Sequence, residues 1–409
     1  MTVTVDKPAA GGRMIARQNG QVLLVSGAVP GERLRVRIER VGRGVAFAEP
    51  IAVEEPSPDR RDPFVDPLCG GCLYAHISYP RQLEIKGQIV GDAFHRIARI
   101  ELRDAVTVTP SPDEGYRMRA RLHYRSGRVG FFREGSHEVC DARHTRQLLP
   151  ATCDVVDRMA EGFRSTNVAS LRELELSENQ EASQRAVHLV TAPFEDLRAL
   201  ATIAPPGLTG LTGASGLVLA GEPFVIDRLD LEGYAVTWRR HVLAFFQGNR
   251  YLLRDLILHV LARISRNDAV VDLYAGVGLF SVAAAATRSA RVTAVESDRV
   301  AAQDLAFNAE QGGGDVRAVH QSVEAFAANS RPQADVLLLD PPRTGLSSEA
   351  LAGAIGLRAA TIVYVSCDVA TLARDARQIV DAGYVLERVD GFDLFPNTPH
   401  VETVAVFRR

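Results

Sequence analysis

Cys367 ends the run Tyr364-Val365-Ser366-Cys367-Asp368, where an apolar stretch with strand character gives way to a helical one. A thiol at a strand-to-helix turn lies near the positive end of the helix dipole, which favours thiolate. Cys367 is therefore the candidate nucleophile. Asp340 opens Asp340-Pro341-Pro342-Arg343, directly after the most hydrophobic segment of the chain. The two prolines fix an extended turn and hold that carboxylate in place. Glu402, in His400-Val401-Glu402-Thr403, begins the last strand. A lone glutamate at a strand start is usually solvated, so it acquires a role only if the nearby chemistry needs a base.

A cradle for a nucleoside stands beside these groups. Asp272-Leu273-Tyr274-Ala275-Gly276-Val277-Gly278 sits at another strand-to-helix turn, where glycines let the backbone approach a ligand closely. Glu296 ends the following strand, 20 residues after Gly276, where an acidic side chain accepts both ribose hydroxyls. A nicotinamide-binding turn would want a third glycine near position 281, which holds Ser281.

These residues need elements to position them. From about residue 250 the pattern predicts alternating helices and strands: helix 251–264, strand 269–273, a helix through 282–286, strand 291–295, helix 300–311, strand 316–319, strand 334–339, helix 348–355, strand 361–365 and helix 370–382. Strands buried on both faces and separated by helices imply a parallel, doubly wound α/β sheet. Segments 385–395 and 400–407 then follow with no helix between them and predict an antiparallel hairpin at the sheet edge. Such a sheet finished by a hairpin resembles the class I S-adenosylmethionine methyltransferase fold (Rossmann-like). Apart from Glu402, which begins a strand, the candidate groups of this sheet fall at strand carboxyl ends, where open α/β sheets bind ligands.

Upstream the reading is mostly β. Residues 1–55 predict a small OB/TRAM-like β-barrel in which Arg33, Arg35 and Arg37 alternate with Leu34, Val36 and Ile38, making one strand face basic. Residues 56–240 predict a β-rich central domain, with a helix near 80–102, and residues 241–409 the methyltransferase domain. Arg117-Met118-Arg119-Ala120-Arg121-Leu122 repeats the basic alternation. Eight arginines between Arg117 and Arg146 face only Glu134, Glu138 and Asp141, which suggests a polyanionic partner.

In order, Phe246-Gln247-Gly248-Asn249, the Asp-Leu-Tyr-Ala-Gly-Val-Gly turn, Asp-Pro-Pro-Arg, Val-Ser-Cys-Asp and His-Val-Glu resemble the motif set of the RNA uracil-C5 methyltransferase family. The N-terminal residues, with Val29-Pro30-Gly31-Glu32, look like the TRAM domain that many members carry. The resemblance implies methyl transfer from S-adenosylmethionine to carbon 5 of a uridine in structured RNA, transfer or ribosomal. Cys367 would attack carbon 6 and Glu402 would remove the proton from carbon 5. Gln247, Tyr274, Gly276, Gly278, Glu296 and Asp340 would line the cofactor and base pocket. Asn249, Arg343, Arg117, Arg119 and Arg121 would contact the RNA. Amino-methyltransferases carry a motif related to Asp-Pro-Pro-Arg, with an aromatic residue in place of Arg343. A base-nitrogen methyltransferase and a non-catalytic RNA-binding protein on the same fold are the rival readings. Cys367 speaks against the first, because amino methylation needs no covalent adduct.

Members of that family often hold an iron–sulfur cluster on four cysteines. Cys69 and Cys72 match two of them, but the other positions fall at Pro63 and Thr145, with Cys140 upstream of the latter. Thiolate ligation normally uses four cysteines, so an intact cluster is not expected. Cys69, Cys72 and Cys140 with His76 or His144 form an alternative set of zinc ligands.

Composition bounds the rest. The chain has 409 residues, 46% hydrophobic and 24% charged, with a net charge of −3, as in an ordinary multi-domain globular protein. No apolar run reaches the roughly 18 residues of a membrane span, and no export signal opens the chain. Five cysteines argue against a disulfide framework. A cytoplasmic monomer is expected. Of 47 basic residues only Lys7 and Lys86 are lysine, a ratio attributed to codon bias.

Overall fold

The computed structural model describes all residues except 167–169, 193–199, 201–203 and 331. At the N-terminus, β1 (Thr2–Pro8), β2 (Met14–Gln18), β3 (Gln21–Val25), β4 (Arg33–Val41) and β5 (Val45–Glu55) close into a barrel in the order β1-β2-β3-β5-β4. Leu34 and Val36 of β4 point into its core with Val3, Met14 and Leu23, while Arg33, Arg35 and Arg37 face out. Arg33 and Arg37 are already paired with Glu55 and Glu49, at 3.1 and 2.8 Å. The basic face is thus weaker than the alternation alone suggests.

After a helix, Tyr79–Ala93, and a short strand β6 (Val108–Thr109), the middle of the chain forms a second sheet. Its strands are β7 (Arg119–Arg125), β8 (Arg128–Phe132), β9 (Val139–Asp141), β10 (Glu173–Glu178), β11 (Arg185–Val190), β12 (Gly210–Thr212) and β13 (Val218–Gly221). They run in the order β13-β12-β11-β10-β7-β8-β9. The helix Pro150–Thr166 covers one face, packing Val156, Met159 and Phe163 on Leu122, Leu174 and Leu189.

The C-terminal sheet contains β16 (Ala269–Leu273), β17 (Arg291–Glu296), β18 (Val316–His320), β19 (Val336–Leu339), β20 (Thr361–Ser366), β21 (Val385–Phe392) and β22 (Glu402–Arg408). The order is β18-β17-β16-β19-β20-β22-β21-β6. The first five strands of that order are parallel, and β22 runs antiparallel to both β20 and β21. Strands β16, β19 and β20 are buried on both faces because helices cover each side, which is why they read as unbroken apolar runs.

Two segments placed upstream of residue 241 by sequence join this C-terminal unit. The helix Tyr79–Ala93 and the turn after it pack Val90, Phe94 and Ala98 on Leu372, Ala376 and Ile379. The hairpin β14 (Phe224–Leu231) and β15 (Tyr234–His241) packs Leu231, Val236 and Trp238 with Leu256, Val282 and Leu305. Among the described residues, no helix is long and apolar enough to cross a membrane.

Candidate active site

The carboxyl ends of β16, β17, β19 and β20 open on a cavity of about 600 Å³. Gln247, Tyr274, Gly276, Glu296, Asp340, Arg343, Cys367 and Glu402 all line it. Register explains the closest of these associations. Antiparallel β20 and β22 pair Ser366 with Thr403 as their last rung. Cys367 is the next residue on one strand and Glu402 the next on the other, so they flank the same opening.

The turn after β16 is built for close approach. Tyr274, Gly276 and Gly278 all take positive φ, at 65°, 57° and 90°. For a bulky residue such as Tyr274 this is a rare conformation, of the kind retained where function demands it. A Cβ on Gly276 would meet nothing within 4 Å, so its backbone borders open space. Glu296 is bound from both sides: Oε2 accepts the N–H of Gly276 at 2.8 Å and Oε1 that of Asp298 at 2.6 Å. Its carboxylate therefore faces the cavity in one fixed orientation. The Ser281 hydroxyl donates to the buried Asp272 carboxylate at 2.5 Å, which gives the residue at the absent third glycine a structural task.

Four carboxylates, Glu296, Asp298, Asp340 and Glu402, line the cavity among mostly apolar side chains. Burial, with repulsion from Asp272, pushes the Asp340 carboxyl up to about 7, although its hydrogen bond from Gln247 (3.3 Å) works in the opposite direction. Burial and repulsion from Asp340 hold Glu402 well above the carboxylate range, against the pull of Arg343. Such a field suits a cationic ligand and resists a second anion. The Cys367 thiol is also pushed up, to about 11, chiefly by burial and then by Glu402, with Arg343 opposing. This corrects the expectation of a thiol lowered by the helix that follows it. The helix Val369–Asp381 is there, and Asp368 caps it by accepting the N–H of Thr371 at 2.8 Å, but burial and Glu402 push the Cys367 thiol up.

Other predicted site residues do different work. Gly278 does not line the cavity. A Cβ there would meet Leu305 Cδ1 at 2.8 Å, and its carbonyl accepts the Trp238 indole N–H at 3.2 Å, so it is a packing glycine. Asn249 is fully buried and its amide is spent internally. Nδ2 donates to Ser111 Oγ and to the Leu394 carbonyl, at 2.9 and 3.1 Å, and Oδ1 accepts the N–H of Tyr251 and Leu252. It braces the loop and does not line the cavity. Arg117 donates to Gln147 Oε1 at 2.6 Å and lies over the rings of Phe131 and Phe395, and Arg121 pairs with Glu175 at 2.6 Å. Arg119, over Phe245, keeps an unpartnered buried Nε. Arg119 and Arg121 lie two positions apart on β7, whereas Arg117 precedes that strand at an isolated bridge to Asn249, and Arg117 and Arg121 are already engaged by the fold.

Sequence reasoning missed the aromatic walls of the cavity, Phe245, Phe246 and Phe395. Phe245 is 62% exposed, a strong anomaly for a phenylalanine, but exposure is invisible in sequence. Phe246 opens the quoted Phe246-Gln247-Gly248-Asn249 motif and Phe395 ends the predicted strand 385–395.

The cysteine set differs from both metal readings. Cys69 and Cys140 form a disulfide, and Cys72 is a buried thiol whose Sγ donates to the Thr145 carbonyl at 3.9 Å. Thr145 thus lies beside the cysteine pair, as the cluster pattern requires of that position, but carries no thiol. His76 Nε2 is engaged by the Ala28 carbonyl at 3.1 Å, and among the described residues no group of His, Cys, Asp or Glu is arranged to hold a metal. The expectation that the cysteines stay unpaired fails because β8–β9 pairing brings Cys140 against the Cys69 loop.

Comparison with known proteins agrees with this geometry. A family model for tRNA (uracil-5-)-methyltransferase matches residues 212–409, and one for the TRAM domain matches residues 1–51. A Thermotoga maritima protein described as an uncharacterized RNA methyltransferase is 30% identical, over 98% of this chain and 97% of its own. The 23S rRNA (uracil(1939)-C(5))-methyltransferase RlmD of Pseudomonas putida is also 30% identical, over 98% of this chain and 92% of its own. The crystal structure of Pyrococcus abyssi tRNA (uracil-54, C5)-methyltransferase in complex with S-adenosyl-L-homocysteine superimposes with a TM-score of 0.78 at 25% identity, covering 99% of each chain. With whole-length relatives on one side and a cavity holding Cys367 at the strand ends on the other, the chain belongs to the RNA (uracil-C5-) methyltransferase family.

Proposed function

We propose that this enzyme methylates carbon 5 of a uridine in a structured tRNA or rRNA through a covalent Cys367–uracil adduct, with S-adenosylmethionine as methyl donor. The observation that carries the reading is the presence of Cys367, Glu402 and Asp340 in one cavity with the glycine turn and Glu296. The cavity suits the donor. Gly276 leaves backbone space, Glu296 offers a fixed carboxylate for a ribose, and the surrounding carboxylates favour a sulfonium cation. When bound, that cofactor supplies an electrophilic methyl group.

The protein's own residues supply the rest. Carbon 5 of uracil is a weak nucleophile. Cys367 loses its S–H proton to water and its sulfur bonds to carbon 6, and the carbon 5–carbon 6 π pair moves into an enolate that makes carbon 5 nucleophilic. Once carbon 5 is methylated, Glu402 takes its proton, having first lost its own to water against the upward push of burial and Asp340. The carbon 5–carbon 6 double bond re-forms and the sulfur leaves as thiolate. Gln247 and Asp340 are bonded to each other at the wall, a donor and acceptor set suited to the edge of a base. The target must leave its stack to enter.

Denaturing gels test this. Wild type with RNA carrying 5-fluorouracil should give a covalent species, because fluorine cannot leave as a cation. Glu402→Gln should accumulate the adduct on ordinary RNA, and Cys367→Ala should give neither adduct nor turnover. Methylation by Cys367→Ala would sink the mechanism. Methylation at a base nitrogen, or binding without turnover, would install one of the rival readings.

A further inference from the structure

Lys86 is one of only two lysines in a chain whose other basic residues are all arginine. Lys7 is a surface residue, half exposed and paired with Asp92. Lys86 is different: its side chain and that of Asp393 are both 0% exposed, with Nζ 2.5 Å from Asp393 Oδ1. Nζ also donates to the Phe395 carbonyl at 3.1 Å.

This pair sits at the neck of the β21–β22 hairpin. Phe392 is the residue directly opposite Glu402 in the hairpin register, and Asp393 follows it. The loop that begins there carries Phe395, a wall of the cavity, and closes on Glu402. One turn before Lys86 on the same helix face, Gln82 holds the far side of the loop. Its Oε1 accepts the N–H of Asn397 at 2.9 Å and its Nε2 donates to Asn397 Oδ1 at 3.0 Å. Asn397 itself takes a left-handed φ of 63°, a conformation that needs such bracing. The helix Tyr79–Ala93 therefore clamps the loop at two points, one ionic and one neutral.

An ion pair is not the cheapest way to fill this space. A buried pair is often no more stable than apolar residues of the same volume, whereas losing one partner is strongly destabilising. What an apolar pair lacks is direction: the ammonium fixes both a carboxylate and a backbone carbonyl. A lysine serves where an arginine does not, because the ammonium is compact and its donors are arranged about one atom.

We propose that Lys86 is a positioning residue for the reaction, its buried contacts with Asp393 and the Phe395 carbonyl fixing the hairpin loop so that Glu402 meets the proton on carbon 5. This rests on the covalent reading above and deepens it by assigning the element that aims the base.

The test uses the full-length enzyme with Lys86→Met, Asp393→Leu and the double variant Lys86→Met/Asp393→Leu. Each single variant should melt well below wild type, because one charge is left unpaired. The double variant should melt within a few degrees of wild type and bind S-adenosylhomocysteine within about threefold. Its kcat should fall at least tenfold with KM for RNA little changed, and covalent adduct should build up on ordinary RNA, as with Glu402→Gln. A folded double variant with wild-type kcat overturns the proposal. So does a loss of kcat without adduct, or one matched by lost cofactor affinity, which marks a merely structural pair. If the double variant does not fold, Gln82→Met carries the test through the neutral half of the clamp. A fall in kcat of about threefold with adduct build-up is expected, and unchanged kcat overturns the proposal. Failure of the wild type to form an adduct with fluorinated RNA would instead sink the covalent reading itself.

Discussion

Cys367 and Glu402 stand one residue beyond the Ser366–Thr403 rung that ends the pairing of β20 with β22. Residues remote in sequence become neighbours because antiparallel strands advance in opposite directions. A one-residue slip of β22 would turn Glu402 to the other face. The β21–β22 register places Phe392 opposite Glu402 on the outer side.

The cofactor should depend on Glu296. One charged contact of this kind contributes roughly 1.5–3 kcal/mol, so Glu296→Ala should weaken S-adenosylmethionine binding by about one to two decades. Isothermal calorimetry checks this, and unchanged affinity removes Glu296 from the cofactor site.

Thiol reactivity should follow pH in a predictable direction. Burial holds the Cys367 thiol at about 11, so it is protonated at neutral pH. Iodoacetamide labelling of Cys367 should rise about tenfold per pH unit between pH 7 and 9, since only thiolate reacts. Arg343 opposes the upward shift, so Arg343→Met should slow labelling at each pH. A labelling rate that levels off below pH 8 would show a thiol already ionised.

The Cys69–Cys140 link closes a loop across 71 positions. Chain entropy for such a loop corresponds to about 4 kcal/mol, with about 2–4 typical of measured bridges. Reduction should therefore lower the melting temperature in calorimetry, while Cys72→Ser should leave the reduction-dependent difference intact. Two alkylatable thiols at positions 69 and 140 under non-reducing conditions would contradict the bridge.

The arginines of the β7 region should separate in salt titrations of RNA binding. Arg119 has an unpartnered Nε, so Arg119→Gln should reduce the log–log slope by about 0.7 to 0.9 if it meets a phosphate. Arg121 is partnered by Glu175 and Arg117 by Gln147, so their glutamine variants should change the slope less. Equal effects from all three would restore the simpler picture of a free basic face.

Much of this protein is legible in one sequence. The parallel sheet and its closing hairpin follow from apolar strands alternating with amphipathic helices, because local periodicity reports burial directly. Cys367, Asp340 and Glu296 were recognisable because strand ends and their turns carry motifs of fixed spacing. The helix Val323–Asn329 escaped notice, since seven residues offer too little period to read. What only the tertiary structure decided were the long-range partners. Sequence spacing could not say that Asn249 braces Leu394, that Arg117 answers Gln147, or that Cys140 meets Cys69. Nor could it say that burial would push the Cys367 thiol up. A side chain's type sets which bonds it is able to make, but its partner and its desolvation depend on what the rest of the chain packs around it.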